Sequence, residues 1–272
     1  MYQEQTTRKP ITLTALAKMK RNREKFTVLT AYDASFAALL EAAGVDVLLV
    51  GDSLGMVIQG RSTTVPVTMD DMIYHTRLVA NGCRTALLMA DMPFASYATV
   101  DQGVRNAARL MQEGGAHLVK LEGGGWLADT VRQLSRNGMP VCVHLGLLPQ
   151  SVHKLGGYKV QGREEAAARQ IIDEALLLQE AGADMALVEC IPAELAARLT
   201  EALTIPLIGI GAGASCDAQV LVSYDMLGIT PGRRPKFSKN FLTGCDSLQA
   251  AAEAYVRAVK SGEFPGPEHC LA

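Results

Sequence analysis

One pattern recurs three times along the chain and restricts its fold more than any other feature. The copies are EAAGVDVLLVGD (41–52), QEGGAHLVKLEG (112–123) and QEAGADMALVEC (179–190). In each copy an amphipathic segment ends near a glycine, a short linker follows, and an apolar run leads to an acid. A glycine after the last helical turn commonly ends a helix, and a continuous apolar run is typical of a strand buried on both faces. The pattern therefore predicts repeated helix–strand units.

Apolar runs and amphipathic segments alternate through the whole chain. Strands are predicted at 26–31, 46–51, 85–90, 117–122, 139–144, 184–189, 205–210 and 220–228. Helices are predicted at 34–43, 68–81, 100–114, 126–137, 164–181, 193–203 and 246–261, with capping-box spacing at Thr68/Asp71 and Thr99/Gln102. Eight strands with helices between most of them predict an α/β fold, the (β/α)8 or TIM barrel. A doubly wound open sheet is the alternative, and the lack of a G-x-G-x-x-G after the first strand disfavours it.

The length and the absence of a composition break favour one domain. The chain has 272 residues and is 49% hydrophobic, and α/β barrels of about 250 residues are commonly one domain. We therefore expect residues 1–272 to form a single barrel domain with a short N-terminal helical segment.

Charge and cysteine usage exclude several classes of partner. The 26 basic and 28 acidic residues leave no basic excess, so we expect no nucleic-acid partner. No apolar stretch approaches the roughly 20 residues of a membrane helix, and residues 1–10 lack the order of a secretory signal. The six cysteines are scattered without a C-x-x-C pair, which favours a reducing compartment. We expect a cytoplasmic protein without a membrane partner.

Polar residues stand where several predicted strands end. In a parallel barrel every strand opens on the same rim, so one mouth would gather Asp33, Asp52, Asp91, Glu122, His144 and Glu189. Crowded carboxylates repel one another, and Mg²⁺ prefers oxygen ligands and keeps waters that a substrate can replace. We interpret Asp52, Asp91 and Glu122 as a Mg²⁺ site. The alternative for each acid is a helix cap or an ion pair with a basic residue.

Three further residues have candidate roles at this rim. Lys120 lies two positions before Glu122 and shares its strand face, so it could hold a substrate carboxylate or enolate, form a structural ion pair, or act as a Schiff-base amine. Glu189, on the sixth strand, is free to act as a general base, with a fourth metal ligand or a helix cap as the alternative. His144 either hydrogen-bonds substrate or is a core histidine bonded to backbone.

Two long connections and one glycine-rich run lie at the same rim. Segments 52–67 and 145–163 are longer than most loops of a compact domain, and loops of this length are often functional lids. The run IGIGAGAS (208–215) is compatible with an anion-binding loop, and a tight turn or the wall of a pocket explains it equally well.

Taken together, the motifs closely resemble the ketopantoate hydroxymethyltransferase family. The resemblance runs from about residue 12 to residue 266, and three motifs in this order are specific to it. They are GDSLGM (51–56), GGYKVQGR (156–163) and IGIGAG (208–213).

The resemblance implies a barrel of the phosphoenolpyruvate mutase and isocitrate lyase type. It implies transfer of a one-carbon unit from 5,10-methylenetetrahydrofolate to 3-methyl-2-oxobutanoate, the first committed step towards pantothenate and coenzyme A. By residue match, Asp52, Asp91 and Glu122 correspond to the Mg²⁺ group, and Glu189 to the proton acceptor. Ser53 and Lys120 correspond to substrate contacts alongside Asp52 and Asp91. Members of the family are large homo-oligomers, often decamers.

Rival functions remain on the same fold. A Schiff-base aldolase would use Lys120 without a metal, and the three rim acids argue against it. An enzyme that cleaves C–C or C–P bonds would usually place a cysteine in a mobile loop, and neither 52–67 nor 145–163 contains one. A barrel kept only as a scaffold would be expected to have lost a site carboxylate.

Overall fold

Eight parallel strands close into a barrel in the order of the chain. The computed structural model describes residues 8–232 and 234–271. The strands are β1 (Phe26–Thr30), β2 (Val47–Val50), β3 (Leu87–Asp91), β4 (Leu118–Glu122), β5 (Val141–Gly146), β6 (Met185–Glu189), β7 (Leu207–Ile210) and β8 (Ala218–Leu221). Pairing of β1 with β8 completes the ring. The predicted (β/α)8 barrel is confirmed, and the open sheet is excluded.

Helices of two or more turns follow most strands and cover the outside of the barrel. The α-helices are α1 (Leu13–Asn22), α2 (Ala34–Ala42), α3 (Leu54–Val57), α4 (Met69–Gly82), α5 (Val100–Gln112), α6 (Ala128–Arg136), α7 (Val152–Leu155), α8 (Glu165–Glu180), α9 (Ala193–Ala202), α10 (Ser223–Met226) and α11 (Leu248–Ser261). All seven predicted helices are present within about two residues of their predicted ends. The capping box of Thr68 and Asp71 is complete, whereas Gln102 bonds the backbone of Ala98 instead of that of Thr99.

The repeated glycines end helices as the pattern predicted. Gly44, Gly115 and Gly182 have φ of 92°, 80° and 107°, a left-handed conformation that glycine adopts without steric cost. Each glycine turns the chain from a helix back into the barrel.

The eighth strand was misplaced by the sequence interpretation. It runs from Ala218 to Leu221 and not over 220–228, because pairing with β1 fixes its position. Beyond Leu221 the backbone N–H of Ser223 donates to Thr30 Oγ1 at 2.9 Å, and the chain turns into α10. Hydropathy alone did not separate the strand from the apolar residues of this short helix.

Strand side chains fill two separate apolar layers, which explains why the runs are continuous rather than alternating. Inward residues such as Phe26, Val28 and Met185 fill the barrel, and Leu16 of α1 packs against them. Outward residues such as Leu29 and Leu48 pack against the surrounding helices. Polar groups at the carboxyl ends of the strands therefore stand above a fully apolar floor.

No helix in residues 8–232 and 234–271 is long and apolar enough to cross a membrane. The interpretation of residues 1–10 as lacking a secretory signal falls, for residues 1–7, outside the described part of the chain.

A buried carboxylate outside the barrel holds one loop in place and gives a stability prediction. Glu41 Oε2 accepts backbone N–H groups of Arg84, Thr85 and Ala86 at 2.8, 2.6 and 2.9 Å. Burial raises the pKa of Glu41, but the backbone donors outweigh it and hold the pKa below its usual value. Glu41→Ala should lower the free energy of unfolding by about 3 kcal/mol, because it leaves buried N–H donors without an acceptor.

Urea denaturation measures this loss. The control is Glu113→Ala at an exposed position, where only a surface ion pair with Arg109 is lost, and its free energy of unfolding should fall by less than about 1 kcal/mol. Because the pKa of Glu41 is depressed in the folded state, its stabilisation is present above the unfolded pKa and is lost as the pH falls through the folded one. The difference between wild type and Glu41→Ala should therefore shrink in acid. A difference that does not change with pH would mean that the carboxylate charge contributes nothing.

Candidate active site

A cavity of about 760 Å³ opens at the carboxyl ends of the strands. It is the position where barrel enzymes hold their active sites. All residues with a metal-binding, substrate-binding or catalytic role predicted from the sequence line this cavity, whereas Asp33 does not: they are Asp52, Ser53, Asp91, Lys120, Glu122, His144 and Glu189. The convergence expected from the topology is therefore present.

Strand register explains which of these side chains meet. Asp91 of β3 stands opposite Lys120 of β4, and Glu122 of β4 stands opposite His144 of β5. Neighbours in register on adjacent strands share a face, so their side chains approach closely. Glu189 is the last residue of β6 and pairs with Gly146 of β5, where a Cβ would lie only 2.4 Å from the carbonyl oxygen of Glu189.

Lys120 is the centre of the charge arrangement. Its Nζ lies 2.8 Å from Asp91 Oδ1, 3.2 Å from His144 Nδ1 and 3.8 Å from Glu122 Oε1. Burial lowers the pKa of Lys120, but the carboxylates of Asp91, Glu122 and Asp52 outweigh it and raise the pKa above its usual value. The amine is therefore held protonated. A Schiff-base nucleophile needs the neutral amine, so this environment disfavours the aldolase alternative.

The acids of the cavity are buried and differ in how well their charge is compensated. Burial raises the pKa of Asp52 well above its usual range, and the carboxylates of Asp91 and Glu122 raise it further. Burial also raises the pKa of Asp91, against the lowering effect of Lys120. The pKa of Glu122 is lowered in spite of burial, because His144, Lys120 and the backbone N–H of Gln150 stabilise its charge. One buried lysine therefore faces three buried carboxylates, and its charge does not compensate all of them.

Asp52 and Asp91 lie side by side, although 39 positions separate them in sequence. The backbone N–H of Asp52 donates to Asp91 Oδ2 at 3.1 Å. Asp91 Oδ1 is buried and has no hydrogen-bond partner of good geometry among the described residues, although Lys120 lies at ion-pair distance. Ser53 Oγ lies 2.9 Å from the hydroxyl of Tyr32, which orients it at the cavity wall.

His144 lies between two acids. Its Nδ1 is 3.4 Å from Glu122 Oε1, and its Nε2 is 3.4 Å from Glu189 Oε2. Burial and Lys120 lower the pKa of His144, but Glu122 and Glu189 outweigh them and the pKa is raised. The interpretation of His144 as a core histidine bonded to backbone does not describe these contacts. The side chain of Glu189 is 14% exposed, against 3–5% for Asp91, Lys120 and Glu122, so Glu189 is the acid that faces the open cavity.

Two features expected at the mouth have other roles. Asp33 caps α2 by accepting the backbone N–H of Phe36 at 2.9 Å, and it does not line the cavity. The glycine-rich run packs against α9 and the C-terminal part of the chain: a Cβ on Gly213 would lie 2.6 Å from Ala193 of α9, and one on Gly211 would lie 3.0 Å from Phe237. Of this run, Ile210 lines the cavity, so the run forms part of a pocket wall.

Comparison with known proteins identifies the family. A sequence profile described as ketopantoate hydroxymethyltransferase matches residues 10–267. The chain belongs to the ketopantoate hydroxymethyltransferase family. It is 64% identical over 255 residues to the 3-methyl-2-oxobutanoate hydroxymethyltransferase of Nitrosococcus oceani, covering 94% of this chain and 97% of the relative. It is 60% identical to the enzyme of the same name from Alkalilimnicola ehrlichii, covering 97% and 95%.

Membership of the ketopantoate hydroxymethyltransferase family makes the chain a transferase of a hydroxymethyl group to 3-methyl-2-oxobutanoate, in pantothenate biosynthesis. Solved structures confirm the fold type. A 2,3-dimethylmalate lyase, a member of the PEP mutase/isocitrate lyase superfamily, superposes with a TM-score of 0.57 at 17% identity, covering 79% of this chain and 81% of that one. A phosphonopyruvate hydrolase complex with oxalate and Mg²⁺ gives 0.59 at 13% identity, covering 92% and 98%.

The sequence interpretation missed polar residues that support this ketopantoate hydroxymethyltransferase site. Both Gln150 and Tyr97 are buried: Gln150 bonds the carboxylates of Asp52 and Glu122, and the hydroxyl of Tyr97 bonds Gln150 and the backbone of Glu122. Asp225 of α10 also lines the cavity. None of them ends a strand, so the pattern that found the other residues does not reach them. Gln150 lies in the long connection 145–163, which the sequence placed at the rim, and that position is the signal that could have found it.

Proposed function

We propose that this chain transfers a one-carbon unit from 5,10-methylenetetrahydrofolate to 3-methyl-2-oxobutanoate, giving ketopantoate (2-dehydropantoate), with Mg²⁺ as cofactor. The observation that carries the proposal is the meeting of Asp52, Asp91, Lys120, Glu122 and Glu189 in one cavity at the carboxyl end of the barrel. A small keto acid fills only part of about 760 Å³, which leaves room for a bulky cosubstrate.

The residues present fit Mg²⁺. Carboxylate oxygens are the ligands it prefers, and Asp91 Oδ1 is a buried oxygen without a well-oriented hydrogen bond. Burial and the carboxylates of Asp91 and Glu122 raise the pKa of Asp52, and a bound cation would offset that repulsion. Among the described residues, no group of three or more acids, histidines or cysteines is already arranged to hold a metal. Mg²⁺ is usually held by one or two carboxylates with water and substrate, so a closed cage is not required.

We assign Asp52 and Asp91 as metal ligands, with Glu122 as the third member of the group. When bound, Mg²⁺ would polarise the keto oxygen and stabilise the negative charge that develops as C3 loses its proton. Lys120, held protonated beside Asp91, balances the carboxylate of the keto acid. Ser53, oriented by Tyr32, supplies a hydroxyl to the same substrate.

Glu189 is the general base of the proposal. It accepts the C3 proton, and C3 can then bond to the methylene carbon of the folate. The two bonds from that carbon to folate nitrogens break in turn, one water supplies the hydroxyl oxygen of the product, and the C3 proton and one proton of that water end on the two nitrogens. Glu189 suits this role because it faces the cavity and stands apart from the Asp52–Asp91 pair. His144 holds the other side of its carboxylate at 3.4 Å.

The two long loops supply a wall for the folate. Tyr158 Oη donates to Met56 Sδ at 3.7 Å, so segments 52–67 and 145–163 touch beside the cavity. Met56, Tyr158 and Phe237 give the outer cavity an apolar lining on which an aromatic cosubstrate can pack. Segment 145–163 acts as a lid that excludes water.

Assembly and location are part of the same proposal. The protein forms a homo-oligomer, a decamer of the 29.0 kDa chain, and is located in the cytoplasm. The family supports this assembly, and exposed aromatic residues such as Trp126, which is 63% exposed, offer surfaces for contacts between copies. Its partners are the keto acid and the folate, with neither nucleic acid nor membrane. Sedimentation equilibrium measures the number of copies.

Turnover tests cofactor and reaction together. Purified protein should form ketopantoate from 3-methyl-2-oxobutanoate and methylenetetrahydrofolate, lose activity with EDTA, and regain it when excess Mg²⁺ is added. Borohydride with the keto acid is the control, because it inactivates only an enzyme that forms an imine with lysine. Inactivation by borohydride but not by EDTA would support the aldolase instead.

A further inference from the structure

A buried glutamine connects one of the long loops to the acids of the site. Gln150 lies in a short 3₁₀ turn, Pro149–Ser151, after β5, and its side chain is enclosed although the loop itself is at the surface. Its backbone N–H donates to Glu122 Oε2 at 3.0 Å, and its side-chain Nε2 donates to Asp52 Oδ2 at 2.9 Å. One residue thus holds acids from two separated parts of the barrel rim.

The surrounding groups allow only one orientation of the Gln150 carboxamide. Two acceptors, Asp52 Oδ2 and the carbonyl of Met92, each lie 2.9 Å from Nε2. On the opposite side the hydroxyl of Tyr97 lies 2.6 Å from Oε1. A flipped amide would set its oxygen against two other acceptors, so the network fixes the nitrogen towards Asp52.

Tyr97 completes the arrangement. Its hydroxyl also lies 3.1 Å from the carbonyl oxygen of Glu122 and accepts the N–H of Glu122 at 3.2 Å. The ring is buried and stacks on Trp126 with centroids 6.2 Å apart. Tyr97 therefore ties the end of β4 to the amide that holds Asp52.

We propose that Gln150 is a positioning residue of the proposed metal site, and that Tyr97 fixes Gln150. By occupying Asp52 Oδ2, the amide holds the carboxylate in one rotamer and directs its other oxygen, which has no hydrogen-bond partner among the described residues, to the cation. Because buried carboxylates repel one another, an acid without this donor would turn away from Asp91. The inference depends on the proposed metal site and not on the proposed reaction.

A near-isosteric variant tests the role of Gln150. Gln150→Met keeps the volume and the backbone N–H but removes both side-chain donors. Mn²⁺ binding is measured by electron paramagnetic resonance, with and without 3-methyl-2-oxobutanoate. We expect the Kd for Mn²⁺ to rise at least about tenfold, in the range typical of lost outer-shell partners. In steady-state assays, the KM for the keto acid should rise while the KM for the folate stays unchanged.

Two further variants separate positioning from folding. Tyr97→Phe keeps the ring and should raise the Kd for Mn²⁺ by less than Gln150→Met does. Gln161→Met is the matched control in the same loop, because its amide donates to the carbonyl of Lys159 and not to the acids. Its metal affinity should equal that of wild type. The thermal midpoint is measured for every variant.

The outcomes divide sharply. A lowered thermal midpoint with wild-type affinity for Mn²⁺ in Gln150→Met would give Gln150 a purely structural role and overturn the inference. Wild-type protein that forms ketopantoate but binds no Mn²⁺ would also overturn it and would leave the reaction standing. Wild-type protein without turnover, whose Mn²⁺ binding is weakened by Gln150→Met, would support the positioning role and refute the proposed reaction.

Discussion

Replacing Glu189 with glutamine should slow hydrogen–deuterium exchange at C3 of 3-methyl-2-oxobutanoate by two orders of magnitude or more, roughly what a lost general base costs. The amide cannot accept the proton, yet it preserves the size of the side chain and can still contact His144 Nε2, 3.4 Å from the carboxylate in wild type. Binding of the keto acid should stay nearly unchanged, because Asp52, Asp91 and Lys120 are intact. NMR in deuterium oxide measures the exchange, and calorimetry measures the binding.

Glu194→Gln is the matched control for this variant. Glu194 is an exposed acid in the first turn of α9, five positions further along the chain, and it does not line the cavity. Exchange in this control should equal that of wild type. If Glu189→Gln exchanged C3 hydrogen at the wild-type rate, another residue would have to be the base, and His144 would be the next to test.

Replacing Asp91 with asparagine should weaken Mg²⁺ and keto-acid binding together. The change removes a charged oxygen beside Lys120 and leaves an amide oxygen that can still accept the N–H of Asp52. We expect the affinity for Mg²⁺ to fall by at least about 100-fold, beyond the usual cost of an outer-shell partner. The positive charge of Lys120 also loses the carboxylate that compensates and positions it, which further weakens binding of the keto acid.

Asp33→Asn provides the control for Asp91→Asn. Asp33 also follows an apolar strand, but it caps α2, and asparagine is an equally good helix cap. This variant should therefore keep wild-type affinity for Mg²⁺ and wild-type stability. Isothermal calorimetry of both variants decides the matter. Wild-type affinity in Asp91→Asn would remove Asp91 from the metal group.

The success of the sequence interpretation has a simple physical basis. Parallel strands with helices between them must bury both faces, so most of each strand is apolar, and on three strands an acid marks the end. Asp91, Glu122 and Glu189 are each the last residue of a strand, and closure of the barrel alone brings them to one rim. Where the strand end had no such marker, as at the eighth strand, the predicted range 220–228 began two residues too late and ended seven residues too far.

The hydropathy pattern does not predict the role of residues whose position depends on loop conformation or on contacts with several side chains. Asp33 and Asp52 both follow apolar strands, yet one caps a helix and the other enters the cavity. Gln150 looks like an ordinary loop residue in sequence, and its role becomes visible only when Asp52, Met92 and Tyr97 surround it.

The amino-acid sequence by itself determined the barrel, the rim at which the candidate site residues meet and the residues at most of its strand ends, because burial and chain direction are local, repeated constraints. The tertiary structure alone decided which acid faces the open cavity, why Lys120 stays charged, and which buried amide orients Asp52. Those properties arise from distances of about 3 Å between side chains far apart in sequence, and only the folded chain sets such distances.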